Sequence, residues 1–91
     1  MNNETSLQAP NVVAQAQNSV DKAERAVMQA QTHPTEDAVA NAKDSIETAE
    51  HALRNAYEGQ EPNQDRPIAE VQAQIETLRR QISEVESQLQ G

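Results

Sequence analysis

The feature that most constrains this chain is a 21-residue segment that occurs twice. Asn11 to Gln31 reads NVVAQAQNSVDKAERAVMQAQ, and Asp37 to Tyr57 reads DAVANAKDSIETAEHALRNAY. At a spacing of 26 the copies are identical at Val13/Val39, Ala14/Ala40, Ala16/Ala42, Ser19/Ser45, Ala23/Ala49, Glu24/Glu50, Ala26/Ala52 and Ala30/Ala56. The duplication bears on architecture far more than on chemistry.

Large apolar residues fall at 13, 20 and 27 in the first copy and at 39, 46 and 53 in the second, each followed three residues later by an alanine. A 3-4 alternation places all of them on one stripe of a helix, the a and d seam of a coiled coil. The segment between the copies is short, so the two helices are expected to lie antiparallel. One register opposes a large residue and an alanine at every level: Val13 with Ala56, Ala16 with Leu53, Val20 with Ala49, Ala23 with Ile46, Val27 with Ala42, and Ala30 with Val39. It centres the turn between Pro34 and Thr35. A neighbouring register would centre it on Gln31, inside the first repeat.

The flanks differ. The g positions, Val12, Ser19, Ala26, Ala38, Ser45 and Ala52, are small or apolar. The e positions, Gln17, Glu24, Gln31, Lys43, Glu50 and Tyr57, are mostly polar. This pattern predicts one wet side and one shallow, small-lined groove, with a third helix in the groove.

That third helix is plain in the sequence. Ile68, Val71, Ile75, Leu78, Ile82, Val85 and Leu89 keep strict 3-4 spacing with polar residues on both flanks. The seam can be buried on the hairpin, or on another copy or another protein, which makes these seven residues the candidate partner or oligomer interface. The loop before it is short enough for the intramolecular answer. The expected fold is all-α: an antiparallel Ala-rich hairpin plus a third amphipathic helix in an up-down-up three-helix bundle. Its helices would cover about 10–31, 34–58 and 66–90 of a single domain, 9–91, after a disordered tail, 1–8. Pro10 suits a first helical turn, as do Pro34 and Pro67. Thr32 or His33 is the candidate cap of the second helix and Asp65 of the third. Gly59 is a candidate left-handed terminator, with Pro62 beyond it.

Composition narrows the function. The chain holds 15 acidic and 7 basic residues, a net charge of −8, with a single aromatic residue, Tyr57. That balance disfavours direct binding to nucleic acid or an anionic membrane, and gives no aromatic platform for stacking. Most of the charge lies in 37–65, with seven acidic and two basic residues. There is no cysteine, hence no thiolate metal site or cysteine nucleophile. No apolar run approaches a membrane span, and MNNETSLQAP lacks the regions of a signal peptide, so a cytoplasmic location is expected.

Catalytic signals are sparse. His51 falls at an f position with Glu47 and Glu50 nearby, an arrangement that reads as a solvated surface rather than a metal site. His33 falls in the turn and reads as a capping residue. Two glycines, Gly59 and Gly91, cannot make a phosphate-binding loop. The carboxylates are spread along wet faces without a cleft to shift them. The expectation is therefore a non-enzymatic chain with no cofactor, metal or small-molecule ligand. Asp37, Asp44, Glu47, Glu50, Glu58 and Glu61 form an acidic face that suits a basic partner or a solvated surface.

Val20-Asp21-Lys22-Ala23-Glu24, Ala49-Glu50-His51-Ala52-Leu53 and Val71-Gln72-Ala73-Gln74-Ile75-Glu76-Thr77-Leu78-Arg79 resemble segments of short Ala/Gln-rich helical proteins of Bacillus and its relatives. The resemblance implies a cytoplasmic bacterial helical protein and lends no activity. His33-Pro34-Thr35 is loosely similar to the turn of type III secretion needle subunits, and the Trp-x-Gly turn of secreted WXG-type hairpins has no counterpart. The expected role is a non-catalytic protein–protein interaction module, such as an adaptor, small chaperone or regulatory subunit. The alternatives are a self-assembling coiled coil through the third helix and an acidic inhibitor or nucleic-acid mimic.

Overall fold

A computed structural model describes residues 12–59 and 65–90. The expected tail 1–8, the start of the first helix at Pro10, Pro62 and the loop around it lie outside the described residues. Three helices follow in order: α1 (Val12–Thr32), α2 (Glu36–Glu58) and α3 (Asp65–Gln90). They pack pairwise into an all-α, up-down-up three-helix bundle.

The core is the a/d stripe of each helix. All twelve hairpin positions are buried: Val13, Val20, Val27, Val39, Ile46 and Leu53 together with Ala16, Ala23, Ala30, Ala42, Ala49 and Ala56. From α3 come Ile68, Val71, Ile75, Leu78, Ile82 and Val85. At the open end of the hairpin, a β-carbon built on Gly59 would lie 3.6 Å from Val12 Cγ2. Val12 therefore faces Gly59, as a turn near Pro34 and Thr35 requires. A turn centred on Gln31 would have set Val12 opposite Glu50.

The turn differs in detail from the sequence reading. α1 runs on through Thr32, whose Oγ1 donates to Met28 O at 2.9 Å, and the His33 N–H donates to Gln29 O at 2.8 Å. Both residues therefore finish α1 and neither caps α2. The cap is Thr35: extended at φ −136° and ψ 162°, it accepts from the Ala38 N–H through Oγ1 at 3.0 Å. Pro34 sits in the turn and not in the first turn of α2. Glu36 and Asp37 follow, at the positive end of the helix dipole.

Gly59 is not a left-handed terminator. Its φ is −102° and ψ 13°, and its N–H donates to Asn55 O at 3.0 Å, the helical i to i−4 bond. The chain simply continues the helical path for one more residue, a conformation open to any side chain. Pro67 lies in the first turn of α3 as expected; the cap predicted at Asp65 falls on a side chain outside the described residues.

Candidate interaction surface

Which side of the hairpin holds α3 is settled by three side-chain pairs. Lys43 Nζ lies 2.7 Å from Glu86 Oε2, Arg79 pairs with Glu50, and Tyr57 Oη donates to Gln72 Oε1 at 2.5 Å. Lys43, Glu50 and Tyr57 are the three e positions of α2. From α1, the e residues Glu24 and Gln31 border the cleft against Gln74 and Gln81 of α3. So α3 lies on the polar e side. The expectation that it fills the small-lined groove is overturned.

The reason lies in the order of positions around a heptad. Going round the helix the sequence is e, a, d, g, so a borders e and d borders g. In both repeats the large residues are at a and the alanines at d. The apolar bulk of the hairpin therefore leans toward the e side, and only α3 on that side can cover it. The polar flanks agree: beside the groove, Gln72, Arg79 and Glu86 would face alanine and serine, whereas on the e side each finds a partner. The opposite face keeps Val12, Ala26, Ala38 and Ala52 half-buried against the core, with none of the described helices over them.

Six of the seven seam residues named as a candidate interface are thus in the core, from 1% exposed at Val71 to 5% at Val85. Leu89 alone is exposed, at 39%, beside Val39 and Ala40 where α3 passes the hairpin turn. A partner that uses the seam must take the place of the hairpin. Half of the large side chains in the core, six of twelve, come from α3.

The three pairs do little for net stability. The side chains of Lys43 and Glu86 are 50% and 34% exposed, and those of Arg79 and Glu50 61% and 28%. Exposed ion pairs contribute about 0.2–1 kcal/mol each. Their effect is on register: they align α3 against α2 residue by residue. No one helix's flank reveals them, because each match lies between two helices. Set in reverse order, 43-50-57 against 86-79-72, the basic–acidic, acidic–basic and hydroxyl–amide matches are visible in the sequence.

The α1–α3 cleft is different. Its floor is Val27 and Leu78, its rim is Glu24, Gln31, Gln74 and Gln81, and Met28 stands 63% exposed at its edge. It encloses about 400 Å³. Of the acidic face, Asp37, Asp44, Glu47 and Glu58 are exposed, Glu50 is engaged by Arg79, and Glu61 lies outside the described residues. His33 and His51 are exposed on different parts of the surface. Among the described residues no three His, Cys, Asp or Glu side chains group as metal ligands, none of the buried residues is polar or charged, and no helix is long and apolar enough to cross a membrane. No protein family matches the chain, and neither does any curated protein or solved structure.

Proposed function

We propose that the chain is a non-catalytic protein–protein interaction module of the cytoplasm, serving as an adaptor, small chaperone or regulatory subunit. The observation that carries this reading is the construction of the e face. It is a helix-accepting surface made of six large a-position side chains, edged by Lys43, Glu50 and Tyr57. α3 covers it in the chain, through contacts that any helix with the same apolar spacing and matching flank makes. The partner class is therefore an amphipathic helix with a 3-4 apolar seam, docked antiparallel to α2 with an acid opposite Lys43 and a base opposite Glu50.

The full chain, tagged and used as bait in its native cells, tests this. The expected result is a stoichiometric protein partner whose cross-links reach Lys43 rather than Lys22 on the far side of α1. Retention of nothing beyond a tag-only control removes the reading. Recovery of a DNA-binding protein released by moderate salt replaces it with the acidic-mimic alternative.

A further inference from the structure

Glu24 and Glu50 are the same residue of the duplicated segment, and both are half-buried e positions beside α3. They meet different flanks of that helix. Glu50 meets the flank of Arg79 and is engaged by its guanidinium. Glu24 meets the flank of Gln74 and Gln81, and among the described residues no cation pairs with it. A half-buried carboxylate has given up part of its water shell, and a cation or donor has to make up for it. Glu50 has that compensation within the chain; Glu24 has none there.

The surface beside Glu24 is apolar. One turn on, Val27 and Leu78 floor the α1–α3 cleft, and Met28 stands 63% exposed at its edge. On the α2 side the corresponding floor, Ile46 and Ile82, lies between the bridging pairs Lys43–Glu86 and Arg79–Glu50. On the α1 side no ion pair among the described residues bridges the cleft. A water takes about 30 Å³ of liquid, so a cleft of about 400 Å³ has room for whole side chains rather than a lone ion.

The chain thus shows in one repeat which group this carboxylate takes, and leaves the other repeat without it. From the missing counter-charge, the apolar floor and the Glu50–Arg79 pair as its internal template, we propose that the α1–α3 cleft docks an arginine carried on a helix of a partner protein. The guanidinium meets Glu24, its methylene stem lies along Val27 and Leu78, and a large apolar side chain one helical turn away packs on Met28. Arginine suits the site better than lysine: its planar fork pairs with a carboxylate through two N–H groups, and its stem covers apolar surface. Methionine adapts its shape to whatever apolar group arrives. The rim amides of Gln31, Gln74 and Gln81 offer oxygens to the remaining N–H groups. This site works with α3 in place, so it goes beyond the e-face reading and does not depend on it.

A synthetic probe tests the proposal on the isolated chain. It is an alanine-based helical peptide of about 16 residues, with one arginine and a leucine four positions on. Its control carries citrulline, which keeps the shape of arginine without the charge. In NMR the ¹³C-labelled ε-methyl of Met28 reports on the cleft. The ring of Tyr57, the one aromatic residue, reports on the α2–α3 contact. The arginine peptide is expected to shift the Met28 methyl saturably and to leave the Tyr57 ring where it is. Glu24→Gln in the protein, or citrulline in the peptide, is expected to weaken binding about fivefold. Glu47→Gln, which removes the same charge from an exposed site outside the cleft, is expected to leave the affinity unchanged.

A Met28 methyl that does not move overturns the proposal, as does a citrulline peptide that binds equally well. Equal losses for Glu47→Gln and Glu24→Gln overturn it too, since attraction to the net charge of −8 would then suffice. Butylguanidinium chloride that binds as tightly as the peptide makes the cleft a site for small cations instead. Movement of Tyr57 together with Met28 overturns it in favour of a helix that takes the place of α3.

Discussion

Ala23 is completely buried, at 0% exposure, on the stripe of α1 that faces Ile46, itself 4% exposed. Replacing Ala23 by leucine adds three carbon atoms where no space exists. The helices must then separate or the new side chain must leave its preferred rotamer, at a cost of about 1–3 kcal/mol. For a domain of this size each kcal/mol moves the melting temperature by about 4–8 °C, so a cost of about 2 kcal/mol lowers it by about 8–16 °C. Ala26, one helical turn on, is the control. It sits at a g position, half-buried on the face that α3 leaves uncovered. Leucine there can project outward, and its effect is expected within about 0.5 kcal/mol. Thermal unfolding followed by circular dichroism, at one fixed chain concentration for all variants, reads the difference. An unchanged melting temperature for Ala23→Leu would mean that the alanines do not face a helix. Equal losses for both variants would mean that α3 covers the g face after all.

Other substitutions test separate parts of the structure. Thr35→Ala removes the acceptor for the Ala38 N–H and should cost about 1 kcal/mol in thermal or urea unfolding. Gly59→Ala should stabilise by about 0.4–1 kcal/mol in the same assays: the backbone there is open to alanine, and its β-carbon would meet Asn55 O at 3.5 Å and Val12 Cγ2 at 3.6 Å, ordinary contacts. Ile75→Ala, at a seam position 4% exposed, should cost about 2–5 kcal/mol and shift the urea midpoint without changing the slope. A double-mutant cycle on Lys43 and Glu86 should give a coupling of about 0.2–1 kcal/mol that shrinks with added salt; a coupling indifferent to salt would show that the pair acts through packing rather than charge.

The helices and their buried stripes were legible because every signal for them is periodic. A run of seven large residues from Ile68 to Leu89 at 3-4 spacing admits hardly any reading but an amphipathic helix. The hairpin register was legible because, among the registers that oppose large residues with alanine, one centres the turn at Pro34 and Thr35 while its neighbour centres it on Gln31, inside the first repeat. The docking side was misread for a definable reason. Small g residues leave room for a helix, but room is not a driving force. The area to be covered is set by Val13, Val20, Val27, Val39, Ile46 and Leu53, and their neighbours around the helix are the e residues. The turn was misread by a few positions because Thr32, His33 and Thr35 are all plausible terminal residues. The hydrogen bonds that each residue makes, through backbone and side chain, decide between finishing one helix and starting the next. Gly59 was misread because glycine permits a left-handed stop without requiring it.

The duplication leaves the hairpin nearly symmetric about a two-fold axis through its e face, so its apolar surface alone would accept α3 in either direction. The e residues break the tie. In the observed direction Glu86, Arg79 and Gln72 meet Lys43, Glu50 and Tyr57. Reversed, they would meet the equivalent residues of α1, which are Gln17, Glu24 and Gln31. Arg79 would still find a carboxylate, but Glu86 would lose its cation and Gln72 its phenol. Within one chain, the five residues between α2 and α3 already require the antiparallel arrangement, which makes Lys43 and Tyr57 redundant as selectors. They become decisive only for a helix that arrives without that tether. Under the proposed interaction role, the departure of the second repeat from the first at these two positions, Gln17 to Lys43 and Gln31 to Tyr57, is the feature that selects among incoming helices.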